Sequence, residues 1–176
     1  PAEYELTSEL YSAVLEWDFE SFAIKSLTSY QNDSILVRRD NDRHDSSVDI
    51  LPSQYDPETN KQTTVTQEVN LVSVDPLFGK LDWVAGFFYL NTEVEISILE
   101  RLDFGRDGFD PFTRQDVLDD ANCCDKGFIS DSKPERDSAS VYGQGTWNFN
   151  DDLRAVFGLR YTKDEVYSEV TNFYGA

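Results

Sequence analysis

The sequence predicts an all-β fold of about six antiparallel, up-and-down strands, and three observations carry that prediction. Residues 63–90, TTVTQEVNLVSVDPLFGKLDWVAGFFYL, alternate apolar and polar side chains on both sides of a short turn. The same alternation recurs before and after this stretch, always as pairs of long runs joined by a tight turn at one end. The other ends open into long polar segments.

Composition narrows the class. The chain has 176 residues, a formal net charge of -19 and a sequence pI near 4.2, so a polyanion such as nucleic acid would be repelled. Aromatic residues make up 14%, too many for a disordered acidic tail. Mean hydropathy is -0.52, and no apolar run reaches the roughly 18 residues of a membrane helix. That leaves outer-membrane β-barrels open, because strand alternation dilutes hydropathy. No signal peptide is expected at Pro1–Leu10, so the chain reads as mature or as starting inside a longer one.

In order, the first strand is expected from Tyr4 to Phe19. Tyr11, Ala13, Leu15, Trp17 and Phe19 share one face, with Ser12, Val14, Glu16 and Asp18 on the other. After a turn near Asp18–Ser21, the second strand runs from Phe22 to Asp33, setting Phe22, Ile24 and Tyr30 opposite Lys25 and Ser29. Residues 34–62 read as a loop with Pro52 and Pro57, with strand extensions at its ends left open. The central hairpin turns at Asp75–Lys80. Its second strand sets Leu81, Trp83, Ala85, Phe87 and Tyr89 on one face and continues through Val94, Ile96 and Ile98. A second loop is expected over residues 101–136. The fifth strand follows at Ser138–Phe149 and the sixth at Leu153–Lys163, with the chain ending inside a third loop.

Short turns at one end and long loops at the other are the pattern of bacterial outer-membrane barrels, with periplasmic turns, external loops and an outward apolar band. Strands of roughly 9–11 residues cross a bilayer when tilted.

Four motifs then make the pattern more specific: Thr66-Gln67-Glu68, Asp82-Trp83-Val84-Ala85-Gly86, Tyr142-Gly143-Gln144 and Gly158-Leu159-Arg160-Tyr161-Thr162. In order and spacing, together with Ser26–Tyr30, they resemble the barrel strands of TonB-dependent outer-membrane receptors. The resemblance covers nearly all the chain. The family's plug domain and TonB box have no counterpart in these residues, and a barrel of this class needs about 22 strands. Because edges left unpaired in lipid are not tolerated, the chain is expected to be an internal piece of the barrel wall of a larger receptor.

The resemblance implies a localisation in the outer membrane of a Gram-negative bacterium. It also implies TonB-coupled uptake of a scarce ligand, most simply a ferric siderophore. The partners would be outer-membrane lipid, the rest of the barrel, the plug domain, the TonB complex acting through that plug, and a small-molecule ligand. Trp17, Trp83, Phe87, Tyr89, Trp147 and Phe157 are expected to face lipid; Lys25, Glu68, Arg154 and Arg160 are expected to face the lumen. Gly79-Lys80 and Asn150–Asp152 would be periplasmic turns.

In the first loop, Arg38, Arg39, Arg43 and His44 are the candidate ligand contacts, since guanidinium forks bind carboxylates. Local pairing with Asp40, Asp42 and Asp45 is the plainer reading and weighs more. One histidine alone makes no transition-metal site. The second loop carries Asp103, Asp107, Asp110, Asp116, Asp119, Asp120 and Asp125. Ca²⁺ around Asp107–Asp125 is one reading, although the EF-hand spacing is absent; a charged, solvated surface weighs more. Cys123 and Cys124 either form a strained vicinal disulfide or pair with cysteines elsewhere. No catalytic motif is present, so no enzymatic activity is expected. The competing reading is a secreted, soluble β-sandwich that binds carbohydrate and holds Ca²⁺ in acidic loops.

Overall fold

A computed structural model describes residues 3–40, 52–55, 60–101, 114–115 and 127–174. Seven strands form a single antiparallel sheet: β1 (Glu3–Asp18), β2 (Phe22–Asp40), β3 (Pro52–Tyr55), β4 (Lys61–Ser73), β5 (Leu81–Arg101), β6 (Gly127–Asn148) and β7 (Arg154–Tyr174). β3 and β4 occupy one column between β2 and β5, so the sheet is six columns wide and each column lies beside its sequence neighbour. This is the expected up-and-down meander. The sandwich alternative required a second layer, and the described strands supply only one.

A single layer has almost no interior. Among the described residues, the buried apolar side chains are Ala23, Leu99 and Ile129, while Leu15, Trp17, Leu159 and Tyr161 are all more than half exposed. Such a sheet is a wall rather than a self-contained domain.

The strands are longer than their alternation predicts. β2 runs on to Asp40, β6 begins at Gly127 and β7 continues to Tyr174, so the expected loops over residues 34–62 and 101–136 and the expected terminal loop all give ground to strand. The added segments, such as SDSKPERDS in β6 and KDEVYSEV in β7, are rich in charge and were hidden for that reason. Cross-strand ion pairs line them: Lys133–Glu95 at 2.9 Å, Arg136–Asp164 at 3.3 Å and Arg38–Glu3 at 2.6 Å.

Two irregularities mark the long ends. Pro134 stands inside β6, where it has no N–H to donate. The β5–β6 ladder accordingly skips from Glu93↔Glu135 to Ile96↔Ser132. In the column of β3 and β4, Tyr55 and Lys61 face Ile98 and Glu95 on β5, and Val37 and Ser34 on β2. The column thus holds three residues more than either neighbour, and Asn60 sits at the excess.

The turns are tight. Phe78 and Gly79 both take positive φ, 56° and 69°, a conformation glycine adopts without penalty. Asn150 closes the β6–β7 turn with its side-chain oxygen, which accepts from the Asp152 and Leu153 amides at 3.0 and 2.7 Å.

Candidate functional site: a two-faced wall

Because side chains alternate along a strand, the ladder register sorts the sheet into two faces. One face carries Trp17 on β1, Trp83, Phe87 and Tyr89 on β5, Trp147 on β6 and Phe157 on β7. The other carries Lys25, Glu68, Arg154 and Arg160. The residues grouped in the sequence by alternation therefore also group across strands.

The aromatic face has two boundaries. The rung of Trp17 passes through Ile24 and Leu71 to Ala85, so Trp83 lies one same-face position nearer the turns. The rung of Trp83 reaches Gly145, and Trp147 again lies one position nearer the turns. The tyrosines step the same way. Tyr11 and Tyr30 share a rung that reaches Asn91, one position beyond Tyr89; the rung of Tyr89 reaches Lys163, one position beyond Tyr161. The tryptophan and tyrosine lines are thus parallel diagonals. The band between them is about six residues deep along a strand, roughly 20 Å at 3.3 Å per residue. A diagonal is what a band level with a membrane becomes when the strands cross it at a tilt.

Between the two lines this face is apolar: Leu15 and Ala13, Val69 and Leu71, Ala85 and Phe87, Phe157 and Leu159. One polar group interrupts it, and it satisfies itself. Thr28 Oγ1 donates to Gln67 Oε1 at 2.6 Å, and Gln67 Nε2 donates to Ser26 Oγ at 2.9 Å. Past the tyrosine line the same face becomes charged, with Glu5 and Glu9 on β1, Glu93 and Glu95 on β5, and Lys133 and Glu135 on β6.

On the opposite face, residues from all four motifs converge. The Tyr142 ring reaches from β6 across Gly86 on β5 to β4. There its hydroxyl lies 2.7 Å from Glu68 Oε1 and 2.5 Å from Asn70 Oδ1. Asn70 Nδ2 also donates to Glu68 Oε1 at 2.7 Å. Any Cβ at Gly86 would collide with the Tyr142 ring and the Asn70 amide, which explains a glycine inside a strand. The Arg160 guanidinium on β7 stands 5.6 Å from the Tyr142 ring centroid and 5.8 Å from that of Phe88, within cation–π range. Lys25 pairs with Glu16 at 2.9 Å nearby, and the rungs place Lys25 opposite Asn70. The motifs were legible in the sequence; Tyr142 and Asn70 as the centre of the cluster were not, because their meeting depends on cross-strand register.

A third cluster lies near the far end of β5 and β6. Arg114 forks onto Asp131, with Nη1–Oδ1 at 2.9 Å and Nη2–Oδ2 at 2.8 Å, and Ser97 Oγ donates to Asp131 Oδ1 at 2.8 Å. The Phe173 ring lies 5.6 Å from the guanidinium. Arg114 holds the Asp131 carboxyl below its usual range, against the opposing effect of burial, and Ser97 adds to the lowering. Sequence reasoning missed this pair, since an Arg in one segment and an Asp in another give no periodic signal.

Of the ligand candidates in the first loop, Arg38 lies on the charged face and bonds Glu3 Oε2 at 2.6 Å. Arg43 and His44 lie outside the described residues, as do Cys123, Cys124 and the acidic run Asp103–Asp125; Arg39 is described in its backbone alone. Among the described residues, no group of His, Cys, Asp or Glu could hold a metal ion.

Comparison with known proteins agrees with this geometry. No curated protein matches the chain in sequence. Among solved structures, the ferric yersiniabactin uptake receptor FyuA from Yersinia pestis superposes with a TM-score of 0.66 at 11% identity, over 98% of this chain and 22% of that one. The chain therefore spans about a fifth of the receptor whose fold it shares. The profile of the TonB dependent receptor-like β-barrel matches residues 2–175. With that match and a sheet whose apolar face is bounded by two diagonal aromatic lines, the chain belongs to the TonB-dependent receptor β-barrel family.

Proposed function

We propose that this chain is part of the wall of an outer-membrane receptor that imports a scarce ligand, a ferric siderophore, in a Gram-negative bacterium. The observation that carries the reading is the tilted apolar band between the tryptophan and tyrosine diagonals. A strip of that depth, with charge beyond it on the same face, suits hydrocarbon bounded by water. In this reading Trp17, Trp83, Phe87, Tyr89, Trp147 and Phe157 face lipid. Lys25, Glu68, Arg154 and Arg160 face the lumen, where a plug domain would meet the Glu68–Tyr142–Arg160 cluster. The turns at Gly79-Lys80 and Asn150–Asp152 lie in the periplasm, and the long ends of β5, β6 and β7 stand outside the cell. The siderophore assignment draws support from the shared fold with FyuA, a ferric yersiniabactin uptake receptor. Energy would come from the TonB complex acting through the plug.

The test is uptake of radiolabelled ferric siderophores by iron-starved cells with and without the parent gene, each with and without a protonophore. Uptake that needs both the gene and the proton gradient is expected. Uptake of every chelate unchanged by deletion of the gene would sink the assignment.

A further inference from the structure

Past the tyrosine line the two faces exchange character. The face that carried Trp83 and Phe87 bears Glu93 and Glu95, while the face that carried Glu68 and Asn70 bears Ile35 and Val37 on β2 and Val94 and Ile96 on β5. Tyr4 joins them from β1, opposite Val37. These side chains line a cavity of about 360 Å³. That volume falls in the range of small-molecule sites, which are apolar with few polar groups. The polar residues of the lining are Gln62, Asn60, whose carboxamide is turned toward β5 and held by Ser97, and the rung of Lys61 and Glu95, which strand alternation assigns to the opposite, charged face.

Lipid does not account for this patch, because the reverse side of the same strands is charged at the same height. Nor does it suit an anionic ligand on Arg38: that guanidinium lies on the other face, paired with Glu3. Four of the lining side chains are branched aliphatics, and Tyr4 is the one aromatic residue among them, 66% exposed. Branched aliphatic walls complement a flexible hydrocarbon chain, whereas flat-ring stacking would call for aromatic partners.

Resting on the reading of the protein as a ferric-chelate importer, we infer that the Tyr4–Ile35–Val37–Val94–Ile96 cavity is the docking site for an acyl chain carried by the imported chelate. The receptor takes an acylated ligand: the chelate head meets external loops while the tail rests on the inner wall below them.

The experiment compares binding of two probes to the full parent receptor in detergent micelles: a ferric trihydroxamate, and the same chelate bearing a dodecanoyl chain. The acylated probe is expected to bind at least about tenfold tighter, about 1.4 kcal/mol. Ile96→Ser is expected to remove most of that preference without changing affinity for the tailless probe. Val37→Thr, nearly isosteric, gives a second variant that keeps the strand's shape and should lower the preference in the same direction. Equal affinity of the wild type for both probes would overturn the acyl site and leave the importer reading standing. So would a preference that survives both substitutions. Binding of neither probe would overturn the ferric-chelate reading and the acyl site with it.

Discussion

The carboxamide of Asn60 pairs with the peptide of Ser97 as a backbone rung would: Nδ2 donates to the Ser97 carbonyl and Oδ1 accepts from the Ser97 N–H, both at 3.0 Å. The Asn60 carbonyl meanwhile accepts from the Ile35 amide at 3.0 Å. One residue thus bridges β2 and β5 where the column between them carries surplus chain. Asn60→Ala should leave both Ser97 backbone groups without these partners, at a cost of about 1–3 kcal/mol per buried group. The readout is hydrogen exchange in the full receptor, where the Ser97 amide should exchange faster while Val69 and Val141 keep their protection. Asn60→Asp should not restore it, because a carboxylate would face the Ser97 carbonyl.

Gly86 and Tyr142 are matched in size. Gly86→Val should displace the Tyr142 ring and separate its hydroxyl from Glu68 and Asn70. Loss of a hydrogen bond to a charged partner is worth about 1.5–3 kcal/mol. Lower yield of heat-modifiable barrel is the expected result. Adding Tyr142→Ala to Gly86→Val should recover more yield than the sum of the single effects predicts, as coupled neighbours do. Strict additivity would mean that the two side chains do not meet.

Phe87 and Phe88 are adjacent in sequence and lie on opposite faces. Phe87→Arg puts a guanidinium into the apolar band, at about 2–4 kcal/mol near the bilayer midplane. Phe88→Arg puts it opposite Glu68 on the polar face. Membrane assembly of the parent receptor, read by urea-resistant fractionation, should fail for the first and succeed for the second. Equal behaviour of the two would show that the faces are wrongly assigned to lipid and lumen.

The Arg114–Asp131 fork predicts a pH dependence. The Asp131 carboxyl titrates below its unfolded value, so its contribution is fully present above the ordinary carboxylate range and is lost as the pH falls through the depressed value. A spin label at the exposed Gln115 should stay immobilised from neutral pH down to about pH 4, the unperturbed Asp range, and become mobile only at lower pH. Asp131→Asn should loosen it at neutral pH and flatten the acid transition.

Much of the fold was legible because one continuous apolar strip imposes a period of two, and the strip is where the alternation is strongest. Trp83 to Tyr89 and Ala155 to Tyr161 announce their faces without help from any neighbour. The outer halves of β2, β6 and β7 are different. Both of their sides meet water or mixed surroundings, so Arg38, Lys133 and Asp164 are chosen for charge pairing across the ladder rather than for polarity by face. Pro134 reads as a strand breaker, yet the ladder to β7 continues through it to Ser168. Asn60 in the sequence looks like one more loop residue, and only the surplus of chain around it gives it work to do.

The length of those outer strands bears on how the proposed receptor would meet a ligand. With β2 reaching Asp40, β6 starting at Gly127 and β7 running to Tyr174, fewer residues are left to connect them than alternation suggested. Each residue fixed in a ladder has already lost its backbone freedom on folding, about 1–2 kcal/mol. In the proposed receptor these strand ends would form a stiff collar above the membrane, and a molecule arriving there would meet less loose chain to quiet before it is held. Capture at such a rim would gain affinity through preorganisation, with selectivity set by the shape of the collar.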